Sequence, residues 1–229
     1  MILSRYTNTG YMVARIGEKA PNLKVSKWVQ GLPTNIDKER DHVVLVEVFQ
    51  VNCPGCFLYG LPKAIEIYRK YSKDGVRVIG LATAFEDFDK NTLENLELLV
   101  STGKVIGETY RMLMQYGMLN ADGTLPYKIP FPIAMDMLVK NNSKITDEMV
   151  INYIEERIPD FHMYGEARRL LLIKRVREYL ESKEYTPLTF EEYALQGTPS
   201  SIVIDRDGIL RHVSFGYDEG LDNVVESLL

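Results

Sequence analysis

Two patterns in this 229-residue chain, a βαβ unit and a C-terminal hairpin, predict an α/β fold. His42–Gln50, HVVLVEVFQ, is a nearly unbroken apolar run rich in valine, the pattern of a strand buried on both faces. Val76–Ala82, VRVIGLA, is a second such run. Between them Leu61–Tyr71 places Ile65, Ile67, Tyr68 and Tyr71 roughly at helical spacing, so the three pieces form a βαβ unit within about forty residues. Near the C-terminus, Ser200–Ile204 and Ile209–Phe215 flank the turn Asp205–Gly208, DRDG, and read as a hairpin.

The remaining elements follow in order. Lys73–Gly75 is the turn that ends the first helix. Thr92–Val100 and Lys104–Tyr116 read as helices, and Ala121–Pro132, ADGTLPYKIPFP, as a proline-rich loop with a D-G turn. Ile133–Met137 is a short third strand, and Leu221–Leu229 a closing helix. Asn141–Leu188 holds two helix candidates, Asp147–Arg157 and Gly165–Ser182, the second turning Leu170, Leu171, Ile173, Val176, Tyr179 and Leu180 toward a core. Its polar face carries Arg168, Arg169, Lys174, Arg175 and Arg177, either as a solvated face or as a docking surface for an acidic partner. There is no internal repeat or low-complexity segment.

Composition narrows the function classes. Hydrophobic residues make up 45% and charged residues 26%, ordinary for a globular protein with a real core. A net charge of −5 argues against nucleic acid, whose binders concentrate positive charge. No run approaches the roughly 20 apolar residues of a membrane span. The N-terminal MILSRYTNTGYMVARIGEKAP has no sustained apolar core and does not read as a secretory signal, so a cytoplasmic location is expected.

In a reducing compartment a cysteine pair with two residues between them points to redox catalysis or metal binding. Both cysteines of the chain lie in VFQVNCPGCFLYGLP, straight after the first strand. Pro54, with its preset φ and no N–H to leave unpaired, suits the first position of a helix. Cys53 then sits at the helix N-terminus, where free N–H groups and the macrodipole favour a thiolate. Gly55 leaves the turn open to a bulky disulfide, and Cys56, further in, is placed to resolve a mixed disulfide. A structural zinc needs four ligands, and His42, His162 and His212 are scattered singly, so neither a metal nor another cofactor is expected. Glu47, six residues before Cys53 and inside VVLVEVF, is either a buried acid whose raised pKa suits a proton carrier for a neighbouring thiol or an acid solvated at a wet strand end. Phe85, in the loop Ala84–Asp87 after the second strand, is a candidate to line a groove beside the cysteines, although an aromatic after a strand is more often plain core.

These residues resemble the thioredoxin fold, which implies a three-layer arrangement with a central mixed sheet and helices on both faces. Gly197-Thr198-Pro199 followed by a strand and Asp205-Arg206-Asp207-Gly208 resembles the corresponding segment of TlpA-like thiol–disulfide oxidoreductases in the AhpC/TSA–TlpA redoxin group. Ile16–Leu23 is similar to their opening "G-x-x-A-P". The resemblance covers about residues 15–140 and 189–229 and leaves Asn141–Leu188 as a helical insertion, before the proline strand, within one domain spanning 1–229. It implies that Cys53 attacks, that Cys56 resolves, and that Glu47 assists the second thiol. It further implies a cis Pro199, with Thr198 offering backbone hydrogen bonds to a bound substrate chain next to Pro54 and Gly55. The implied partners are a protein or small-molecule disulfide and an external thiol reductant.

Two departures stand out. Asn52 occupies the place where thioredoxins have tryptophan, and Pro62 follows the second cysteine by six residues where many relatives have five, so a bulge or shifted kink is expected in the helix. Two other functions compete. Peroxiredoxins share the fold, but their P-x-x-x-T-x-x-C would need threonine and proline where Gln50 and Val46, or Cys53 and Phe49, stand. An adaptor engaging a partner through Asn141–Leu188 is the other.

Overall fold

The computed structural model describes residues 13–142 and 144–229; the reading of residues 1–12 lies outside them. Among the described residues six strands form the main sheet: β1 (Val25–Gln30), β2 (Val43–Phe49), β3 (Val76–Ala82), β4 (Ile133–Asp136), β7 (Ser200–Ile204) and β8 (Leu210–Phe215). Their order is β1-β4-β3-β2-β7-β8. β2, β3 and β4 run parallel, while β1, β7 and β8 pair antiparallel, so the sheet is mixed as expected. The short strands β5 (Leu138–Lys140) and β6 (Tyr185–Pro187) form a separate antiparallel pair.

β2 is buried along its whole length, and its alternation assigns its side chains to two cores. Val43, Leu45 and Phe49 join a cluster completed by α1 (Leu61–Tyr71), α2 (Leu93–Thr102), α3 (Gly107–Gln115) and α7 (Leu221–Glu226). Val44, Val46 and Val48 face the opposite side, against Phe190, Tyr193 and Leu195. Glu47 shares the parity of Leu45 and Phe49, so it points toward α1.

Several boundaries move, for local reasons. The helix expected from Lys104 starts at Gly107, because Lys104 bridges to Thr124 in the proline-rich loop. Thr92 caps α2 by accepting from the Asn95 N–H, at 3.2 Å. The segment 141–188 folds into α4 (Asp147–Arg157) and α5 (Glu166–Ser182), packed around Val150, Tyr153, Ile154, Phe161 and Leu180. Leu170 and Leu171 do not turn toward this core as expected; both are exposed, and Leu172, Ile173, Val176 and Tyr179 do the packing. Apolar residues run all the way round this stretch of α5, so periodicity alone does not choose a face.

A buried ionic cluster ties the helical pair to α6 (Leu188–Glu192). Glu191 is paired with Lys183, and with Arg157 at 2.7 Å. The Arg157 guanidinium also lies 3.7 Å above the Tyr153 ring. Burial works against the charge of Lys183, while Glu191, though desolvated, is held below the ordinary carboxylate range by its two cations. The asymmetry is physical, since the acid has two partners and the lysine one. No helix among the described residues is long and apolar enough to cross a membrane, and no cluster of side chains among them could hold a metal ion.

Candidate redox site

The main chain leaves β2 through Gln50–Asn52 and becomes helical at Pro54, so Cys53 is the residue immediately outside the helix. Its sulfur accepts from the Cys56 N–H at 3.3 Å, the bond an N-capping side chain makes to an orphan donor. The Cys56 thiol donates to the same sulfur, with the two sulfurs 2.6 Å apart and not cross-linked. The Thr198 carbonyl, 3.5 Å away, is a third neighbour. These contacts, the Cys56 thiol first among them, outweigh burial and lower the Cys53 thiol to about 7. Cys56 is wholly buried, and desolvation together with Cys53 pushes its thiol well up. The pair is therefore split into one acidic, partly accessible thiol and one protonated, hidden thiol.

The Thr198–Pro199 peptide is cis. Pro199 faces the cysteine turn: a Cβ added at Gly55 would stand 3.6 Å from Pro199 Cδ. On its other side the Pro199 carbonyl accepts from the Gly216 N–H at 2.9 Å, just beyond β8.

After Cys56 the helix widens. Cys56–Gly60 is a π turn, and the Leu61 N–H bonds back to the Cys56 carbonyl. Pro62, the second residue of α1, has no N–H to continue an α-helical ladder at that point. The extra residue is the bulge expected from the six-residue spacing. It brings Gly60 against two rigid neighbours: a Cβ there would collide with Glu47 Oε1 and lie 2.6 Å from Pro199 Cβ.

Glu47 is fully buried, and one carboxyl oxygen accepts from Ser201 Oγ at 2.7 Å. The bond is a cross-strand pair, since Glu47 and Ser201 are register partners in β2 and β7. The other oxygen has no hydrogen-bond partner among the described residues. Desolvation raises Glu47 to about 8, with the Ser201 bond opposing and the Cys53 charge reinforcing.

Phe85 is placed differently from expectation. Its N–H donates to Gln50 Oε1 at 3.1 Å, so the loop after β3 does reach the end of β2. Its ring, however, stacks on Phe190 with centroids 4.7 Å apart, in the core on the opposite face of the sheet from Cys56. Ser201, Gly60 and Asn52 belong to the site and were not singled out for these positions from sequence. The strand pairing that sets Ser201 opposite Glu47 is the signal that would have found it.

No protein-family model and no curated protein matches the sequence. Among solved structures the chain is similar to a thiol-disulfide isomerase from Corynebacterium glutamicum, at 29% identity and a TM-score of 0.55, over 94% of this chain and 96% of that one. The fold is thioredoxin-like. A thioredoxin-like superfamily protein, 24% identical over 92% of this chain and 95% of its own with a TM-score of 0.53, shares it. The likeness to the isomerase supports an oxidoreductase activity of the thiol–disulfide type.

Proposed function

We propose that the chain is a dithiol–disulfide oxidoreductase of the TlpA-like kind that reduces protein disulfides through Cys53 and Cys56. The observation that carries the reading is the placement of the two thiols: Cys53 stands at the helix start with its sulfur accepting from the Cys56 N–H, which favours the thiolate, and Cys56 is wholly buried behind it, which favours the thiol. The Cys53 thiolate attacks one sulfur of a substrate disulfide, forming a mixed disulfide and expelling the other sulfur as a thiolate. Cys56 then gives up its proton and attacks Cys53, which releases the second substrate thiol. Two electrons have passed to the substrate, and the Cys53–Cys56 disulfide is reset by an external dithiol.

Glu47 takes the Cys56 proton. While Cys53 is a thiolate its charge helps keep Glu47 protonated; in the mixed disulfide that charge is gone and the carboxylate becomes easier to form. Thr198 and Pro199, with Pro54 and Gly55, line the place where the substrate chain lies. In a reducing cytoplasm the net direction is reduction. The chain acts as one domain, with 141–188 as a helical insertion latched to it by Glu191.

Capture tests the reading. Cys56→Ser leaves an attacking thiol with no resolving partner, so it accumulates mixed disulfides through Cys53 that are visible on a non-reducing gel and released by dithiothreitol. Cys53→Ser accumulates none. A Cys56→Ser protein that captures no substrate covalently would overturn the reading.

A further inference from the structure

The residue before the attacking cysteine is held more tightly than a turn requires. Asn52 is buried and uses every polar group it has outside its own carbonyl. Its N–H donates to Asn91 Oδ1 at 2.9 Å. Its side-chain amide donates to Asp87 Oδ2 at 2.7 Å, and its side-chain oxygen accepts from the Glu108 N–H at 2.7 Å. One residue earlier, the Val51 carbonyl accepts from Thr109 Oγ1 at 2.8 Å.

These bonds join three pieces of chain that lie far apart in sequence. Asp87 and Asn91 belong to a loop closed on itself, with the Asn91 N–H bonded to the Asp87 carbonyl and its amide to the Glu86 carbonyl. Glu108 and Thr109 lie in the first turn of α3, whose own N-cap, Ile106, has no side chain able to accept. Asn52 supplies the missing cap from 56 residues away in sequence. The fit is specific: Gly107 has φ +54, and a Cβ there would collide with Asn52 Oδ1.

We propose that Asn52 is a positioning residue for Cys53, fixing the backbone ahead of the helix so that the sulfur meets the Cys56 N–H. The inference rests on the redox reading above and deepens it. The network makes the loop 86–91 and the start of α3 part of the support for the thiolate. The ionisable groups facing Cys53 are Cys56 from the helix, Glu47 from β2 and Glu86 from the loop after β3. None of them changes when Asn52 is replaced.

The test is the pH dependence of Cys53 alkylation by iodoacetamide in the reduced full chain, followed peptide by peptide. Asn52→Ala should raise the midpoint by about one pH unit, so that the thiolate fraction at pH 7 falls from about one half to about one tenth and the rate drops roughly five-fold. Asp87→Asn keeps an oxygen that accepts from Asn52 while losing a negative charge, so its midpoint should stay or fall. A folded Asn52→Ala with an unchanged midpoint overturns the proposal. If that variant does not fold, Asn91→Ala, which removes only the acceptor for the Asn52 N–H, must move the midpoint upward, and no movement overturns it. A wild-type midpoint at the free-thiol value would instead refute the redox reading itself.

Discussion

Replacing Glu47 by glutamine should stabilise the protein at neutral and alkaline pH and leave it nearly unchanged in acid. The carboxyl titrates at about 8 in the folded chain against 4.5 ordinarily. An acid raised in this way favours the native state while both forms are protonated, below about 4.5, and that stability is lost as pH rises to about 8. A gap of about 3.5 at about 1.4 kcal/mol each gives a loss of about 5 kcal/mol across the window. Glutamine keeps the shape and a partner for Ser201, and it does not ionise. The variant should match the wild type within about 1 kcal/mol at pH 4 and exceed it by about 3–5 kcal/mol above pH 8. Urea denaturation of the reduced proteins from pH 4 to 9 measures this. Asp136, raised to about 6 by burial, bends the wild-type curve in the same direction, while the lowered Cys53 bends it the opposite way near pH 7–9. Both are shared by the variant, so only the difference counts. A difference constant within about 1 kcal/mol across that range would refute the assignment of Glu47 as a protonated buried acid. The same variant should slow the second, resolving step of disulfide reduction more than the first.

Two further perturbations follow from the packing. Gly60→Ala, which in an ordinary helix gains roughly 0.5–1 kcal/mol, should here cost about 1–3 kcal/mol or more, because the new methyl group meets Glu47 and Pro199 rather than solvent; a higher urea midpoint would show that the wide turn yields freely. Lys183→Met should cost about 3 kcal/mol, the lower end for breaking a buried pair, since Arg157 stays on Glu191. A thermal midpoint equal to the wild type would show that the latch contributes nothing.

How much of this was legible in the sequence varied with the kind of signal. β2, β3 and α1 were readable because burial on both faces forces a continuous apolar run, and the cysteine pair because its chemistry is local. β1 was missed, since VSKWVQ is an edge strand whose Ser26 and Lys27 are exposed and whose pairing with β4 is irregular. α6 was missed because what organises it is distant: Asp136 accepts from the Thr189 and Phe190 N–H groups, at 2.9 and 3.2 Å. Within the site, the positions of Cys53, Cys56 and Glu47 could be read from spacing. Asn52 could be read only as a missing tryptophan, because its partners at 87, 91 and 108 come together only when the chain has folded. Phe85 was misplaced for a related reason: an aromatic following a strand has two faces of the sheet to choose from, and Phe190, far along the chain, decides.

The wide turn at Cys56–Gly60 has a consequence for how this chain tolerates change in length. A residue removed from the middle of α1 would rotate everything after it by about 100° and turn Ile65 and Ile67 away from the sheet. A residue removed from the π turn converts it to an ordinary one and leaves the remainder of the helix on the face it already occupies. The slack is confined to the few residues between the hidden sulfur and Pro62, where the chain can be shortened without re-aiming the helix behind it.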